Sequence, residues 1–145
     1  MLQSPYAPPA VGGLNDASPA GFVDVDFTYV YDVAMPAAPA AGSSLRDQQQ
    51  PIQTDADFML RGISYIGIIP GAFNYRLQDS QGFYLSSGMI SNGNLSNNAA
   101  SPTPVFPELA FPAGSRIGID IDNVSGVPVQ IQLAFRGVKR YRVKQ

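Results

Sequence analysis

Arg116-Ile-Gly-Ile-Asp-Ile-Asp-Asn123 and Val127-Pro-Val-Gln-Ile-Gln-Leu-Ala-Phe-Arg136, separated by a short break, decide the fold class of this 145-residue chain. In the first run Ile117, Ile119 and Ile121 alternate with Gly118, Asp120 and Asp122. In the second, Val127, Val129, Ile131, Leu133 and Phe135 alternate with Pro128, Gln130, Gln132, Ala134 and Arg136. Side chains of an extended strand point alternately to opposite faces, so each run has one apolar and one polar face. Asn123-Val-Ser-Gly126 supplies turn chemistry between them. The pattern predicts an antiparallel hairpin with one buried face. Asp120 and Asp122 fall opposite the isoleucines and are expected to meet solvent or a partner.

Working outward, the same period recurs. Val23, Val25, Phe27, Tyr29, Tyr31 and Val33 share one face of a strand predicted over 22–33, with Asp24, Asp26, Thr28 and Asp32 on the other. A polar strand is predicted over 45–54, and Pro51 within it argues for a sheet edge. The run 58–69 reads as a strand in which Gly62 interrupts the alternation and marks a bulge. Residues 73–78 and 83–87 are expected to pair across Asp79-Ser-Gln-Gly82. Residues 88–104 read as a long Gly/Ser/Asn/Pro-rich loop, and 105–112 as an apolar, proline-broken segment crossing the core surface.

No stretch has the period of an amphipathic helix. Gly and Pro number 14 and 13, a composition of many short strands and turns. Seven or eight strands without helices predict an all-β fold, a jelly-roll-like antiparallel β-sandwich with an extended N-terminal arm. The arm is residues 1–21, with Pro5, Tyr6, Pro8 and Pro9 in a polyproline-type segment. Residues 22–145 form a single sandwich domain that ends in a basic strand or tail.

Composition narrows the chemistry. With no cysteine, disulfide and thiol chemistry are excluded. With no histidine, the commonest general base and metal ligand are missing. No Gly-x-Ser-x-Gly elbow or phosphate-binding glycine loop occurs. Three Asp-x-Asp pairs, Asp24/Asp26, Asp55/Asp57 and Asp120/Asp122, have no calcium-loop spacing and read as surface and turn residues. The expectation is a protein that is not an enzyme and carries no metal or cofactor. The absence of a long apolar run and of a basic, apolar leader predicts no membrane span and synthesis in a cytoplasm.

Charge is unevenly placed. Eleven acids and four arginines lie in residues 1–135, a balance of −7, whereas residues 136–145 contribute +5, giving −2 overall. Such an asymmetry suits a protein–protein joint better than nucleic acid. The candidate interface residues are therefore Phe135, Arg136, Lys139, Arg140, Tyr141 and Arg142, together with Pro5, Tyr6, Pro8 and Pro9 of the arm. Arg and Tyr are favoured interface anchors.

Three strings carry a family resemblance: Ile52-Gln-Thr-Asp-Ala-Asp-Phe58, Phe73-Asn-Tyr-Arg-Leu77 and, most specifically, Ala134-Phe-Arg-Gly-Val-Lys-Arg-Tyr141. In these the chain resembles the capsid cement (decoration) proteins of short-tailed bacteriophages, of the Bordetella phage type. The resemblance implies a small jelly-roll domain, self-associated as a dimer or trimer on the outer surface of the virion head, bridging major capsid protein subunits. A head-fibre or tail module that binds a receptor or glycan is the alternative. For that role the Asn/Ser/Gly run at 91–98 would present polar groups to a sugar.

Overall fold

The computed structural model describes residues 19–67, 72–98 and 101–143. Eight strands follow in order: β1 (Phe22–Met35), β2 (Ser44–Pro51), β3 (Asp57–Gly67), β4 (Phe73–Gln78), β5 (Ile90–Ser91), β6 (Thr103–Phe111), β7 (Arg116–Asn123) and β8 (Val129–Arg142). They form two four-stranded antiparallel sheets, β1-β8-β3-β6 and β2-β7-β4-β5. This strand order is that of an eight-stranded jelly roll. The expected arm lies almost wholly at residues 1–18, outside the described residues.

Its logic is a single long hairpin rolled up. The first strand pairs with the eighth, the second with the seventh, the third with the sixth and the fourth with the fifth. Two further pairings, β3 with β8 and β4 with β7, close the roll. Only β4 and β5 are consecutive strands of one sheet; every other connection crosses between sheets.

That crossing overturns the predicted hairpin of β7 and β8. The two strands lie in different sheets, and their apolar faces meet across the core rather than side by side. Asn123 fixes the crossing: its Nδ2 donates to the carbonyls of Pro36 and Val127, and its Oδ1 accepts from the Ser125 backbone. The core is the set of alternating residues both sheets turn inward. Phe58, Leu60, Ile131, Leu133 and Phe135 face Phe73, Leu77, Ile117, Ile119 and Ile121. Each such fully buried side chain contributes roughly 1.5–3 kcal/mol. Rings pack within and between the layers: Tyr29 meets Phe58 edge-on at 4.8 Å inside the first sheet, and Tyr65 meets Phe73 across the sheets at 5.3 Å.

Local readings fare unevenly. The register steps at Arg61 between Leu60 and Gly62 against both β8 and β6, so the bulge falls where Gly62 signals it. β2 is an edge strand, as its polarity and Pro51 require. Residues 83–87 do not form a strand. The reversal at Asp79 exists, with its Oδ1 accepting from the Gln81 and Phe83 amides, but pairing then shrinks to one bridge, Gln78 to Tyr84. The strand that pairs with β4 is instead Ile90–Ser91. The segment read as a proline-broken surface crossing is β6, which tolerates Pro104 and Pro107 because it is an edge and needs fewer donors.

Candidate functional site

β8 extends unbroken to Arg142, so the basic run is the second half of a central strand rather than a tail. It lies between β1 and β3, and this placement divides its residues by parity. Odd-numbered residues turn toward the core and even-numbered ones away from it.

Phe135 turns inward and is fully buried, flanked by Tyr29 and Ile63, where the chain itself occupies its surface. Lys139 is also inward and only 5% exposed. Its Nζ lies 4.0 Å from the centre of the Phe27 ring and donates to Gln53 Oε1 and to both oxygens of Asp55, at 3.1 and 3.0 Å. Tyr141 joins it, with its hydroxyl donating to Asp55 Oδ2 at 2.7 Å. These bonds hold the Asp55 carboxyl below the usual carboxylate range, Tyr141 first and Lys139 second. The same bond to Asp55, with burial behind it, pushes the Tyr141 phenol up. The loop after β2 is thereby clamped over this end of the sandwich, and Tyr29 helps by accepting from the Gln53 amide.

The even-numbered residues build a different structure on the outer face. Arg140 donates to Asp24 from Nε and Nη2, a two-pronged pair in which the side chains are 14% and 6% exposed. Arg61 approaches Asp24 at 3.6 Å and Glu108 at 2.8 Å, and Arg140 approaches Glu108 at 3.8 Å. Two cations and two anions from four strands thus form one closed network across the sheet. Arg136 and Arg142 are exposed, and the Arg142 guanidinium lies 5.2 Å from the Phe22 ring centre. Of the expected interface, then, Arg140 and Lys139 are spent largely on acids of the same chain, while Arg136, Tyr141 and Arg142 reach the surface. Pro5, Tyr6, Pro8 and Pro9 lie outside the described residues.

Asp26, Asp55 and Asp57 are exposed, as expected, but Asp24 and Asp120, one from each of the other two pairs, lie deeper. Asp24 is enclosed by arginines, and Asp120 is fully buried rather than on a solvent face. Asp120 accepts from the Asp47 amide at 3.0 Å and from the Tyr84 hydroxyl at 2.9 Å, with Arg76 at 3.8 Å. The Arg76 guanidinium in turn stacks 3.5 Å from the Tyr84 ring centre. Tyr84 of the 79–89 segment therefore covers Asp120 on the outer face of the second sheet, which a strand pattern alone does not reveal. Among the described residues no three carboxylates gather as a metal site, and no helix is long and apolar enough to cross a membrane. The 91–98 run spends much of its polarity on its own fold. Asn92 Oδ1 accepts from the Phe73 amide, Ser91 Oγ from Gly93, and Thr103 Oγ1 from Ser96.

One surface feature escapes sequence reasoning. β1 and β8 each have 14 residues, roughly 48 Å, whereas β2 and β7 have 8, roughly 27 Å. The β1–β8 ribbon outruns the second sheet. The clamped loop covers Lys139 and reaches the hydroxyl of Tyr141, but Val23 and Val25, on the same core-side face, remain 49% and 47% exposed. Alternation marks them as core residues; only the unequal strand lengths expose them. No protein-family model matches the chain, and no curated protein matches it.

Proposed function

We propose that this chain is a structural virion protein that decorates the outside of a phage capsid, associates with copies of itself, and stabilises the head by bridging major capsid protein subunits. The observation that carries the proposal is the overhanging β1–β8 ribbon, whose half-exposed Val23 and Val25 continue the core face past the end of the second sheet, with neither covered by that sheet. Beside them on that face stands Tyr141, the register partner of Val23, giving an apolar strip with an aromatic margin, while the Arg142–Phe22 pair lies on the opposite face of the same ribbon end. Such a strip suits a protein partner. Support also comes from the strings at 52–58, 73–77 and 134–141, whose family resemblance implies the jelly roll that the chain adopts; that step is an analogy of fold.

Decoration needs no reaction. A compact sandwich that binds two subunits only in the assembled shell stabilises that shell by mass action. An oligomer that engages several sites at once gains avidity from modest individual contacts. Adding the purified protein to undecorated heads tests this. The wild-type chain should bind, with label over the head in immunogold images, and should raise the temperature at which heads release DNA. The Val23→Ser/Val25→Ser variant should bind at least tenfold more weakly. Equal binding by both forms moves the capsid contact elsewhere, and label confined to the tail tip favours receptor or glycan recognition.

A further inference from the structure

Phe106 is 94% exposed, the most exposed large apolar side chain among the described residues. It stands on a bulge of β6. Against β3, Leu109 pairs with Leu60 and Pro104 with Gly62, so residues 105–108 lie opposite Arg61 alone. Both feet of the bulge are anchored. Arg61 Nε donates to Glu108 Oε1 at 2.8 Å, and Gly62 leaves space for the Pro102 ring, which would come within 2.9 Å of a Cβ there. A ring held on an anchored frame loses little freedom on docking.

Beside this knob lies a hole. A cavity of about 430 Å³ opens between β6 and the β4–β5 side of the other sheet, walled by Leu60, Tyr75, Leu77, Leu85, Leu95 and Leu109, with Phe106 and Pro107 also lining it. A cavity of about 150 Å³ already accepts benzene, so a phenyl ring fits with room to spare. None of the lining residues is charged, so an entering ring meets no charge that must lose its water.

We propose that the cavity receives Phe106 of a second copy of this chain, and that the exchange is reciprocal. Knob and hole occupy one face, so the face is complementary to itself, and a two-fold axis seats each ring in the other's cavity. Docking by strand addition is disfavoured here, because Pro104 and Pro107 offer no N–H to a neighbouring strand. Side chains must therefore make the contact. The inference gives a surface to the self-association in the proposed function but does not depend on a capsid.

Phe106→Trp tests it, since it would be the only tryptophan in the chain. As concentration rises its emission should shift to the blue while sedimentation equilibrium reports the passage from monomer to dimer. Phe106→Ser removes an exposed ring, so its melting temperature should not change at dilutions where both proteins are monomers, while the dimer dissociation constant should rise at least tenfold. Leu85→Trp, which fills the cavity wall, should weaken the dimer likewise. The proposal is overturned by a dimer whose tryptophan stays solvent-exposed, by an undiminished Phe106→Ser dimer, by a monomer at every concentration, or by a ladder beyond two. Val23→Ser/Val25→Ser should lose head binding yet still dimerise, so the two proposals fail separately.

Discussion

Arg140 grips Asp24 with two parallel bonds, from Nε at 2.8 Å and Nη2 at 2.9 Å, directly across the β1–β8 pair. Both side chains are nearly buried, so replacing the cation with an anion sets two carboxylates together, with Arg61, 3.6 Å from Asp24, as the remaining cation beside them. Arg140→Glu should destabilise the fold by about 3 kcal/mol, and Arg142→Glu, at an exposed position, by less than about 0.5 kcal/mol. Thermal denaturation of the two variants side by side checks this. Equal melting temperatures would mean that the network on the outer face contributes nothing.

Lys139 combines a buried stem with an ammonium placed over the Phe27 ring. Lys139→Met keeps the stem and leaves Asp55 half exposed to water, so the cost should stay below about 1.5 kcal/mol. Lys139→Ala removes the packing as well and should cost about 2–3 kcal/mol. Urea midpoints at constant slope measure the difference; a Met variant as damaged as the Ala variant would show that the charge matters more than the stem.

Acid should loosen the clamped loop. The folded-state carboxyls of Asp55 and Asp122 are held below the ordinary 3.8, by Tyr141 and Lys139 in the first case and chiefly by Arg46 in the second. A depressed folded value stabilises the fold above the unfolded value, and this contribution disappears as pH falls from about 4 through the lower folded values. The Asp55→Asn variant should therefore be less stable than wild type at pH 6 and converge toward it near pH 2. Parallel curves across that window would contradict the linkage. At the other extreme, Tyr141 is raised above 10.0, so its contribution is present below pH 10 and declines as pH rises through the folded value.

Gly137 lies in mid-strand where no other residue fits. A Cβ there would run into the Met59 carbonyl oxygen and sit 2.9 Å from its carbon, with the Phe58 ring edge 3.1 Å away. Backbone cannot yield as a side chain can, so Gly137→Ala should cost at least about 3 kcal/mol, at the upper end of overpacking. A variant of near wild-type stability would show that β3 and β8 separate easily.

Asp120 organises the cover over the second sheet. Asp120→Ala leaves the Asp47 amide and the Tyr84 hydroxyl without their acceptor, a loss of about 3 kcal/mol. Hydrogen exchange at residues 79–89 should accelerate more than exchange in β8. Uniform acceleration throughout would indicate global destabilisation instead of a released cap.

Period-two alternation made β1, β3, β4, β7 and β8 legible, because a strand half-buried in a sandwich must alternate. It could not tell which strands share a sheet. Ile119 and Leu133 carry the same apolar signal whether they lie side by side in a hairpin or face each other across a core. Parity, applied further along β8, would have separated Lys139 from Arg140, one inward and one outward. What no pattern carries is cover from a distant loop: Tyr84 closing over Asp120, or a second sheet too short to reach Val23. Phe106 was hidden for a related reason, since its exposure follows from the extra residues of β6 at the bulge.

The rolled hairpin also orders events in time. β8 fills the gap between β1 and β3, yet it is the last of these eight strands to be synthesised. Until it arrives, β1 has no partner and β3 lacks one of its two neighbours. Local pairing can begin at β4 and β5, the tip of the roll, but the layer containing Phe58 closes only when the most distant segments meet. Such contacts, far apart along the chain, slow folding and leave unpaired edges exposed while it proceeds. A nascent chain halted before residue 129 should thus remain open to proteases, and completing the final fourteen-residue strand should convert it in one step.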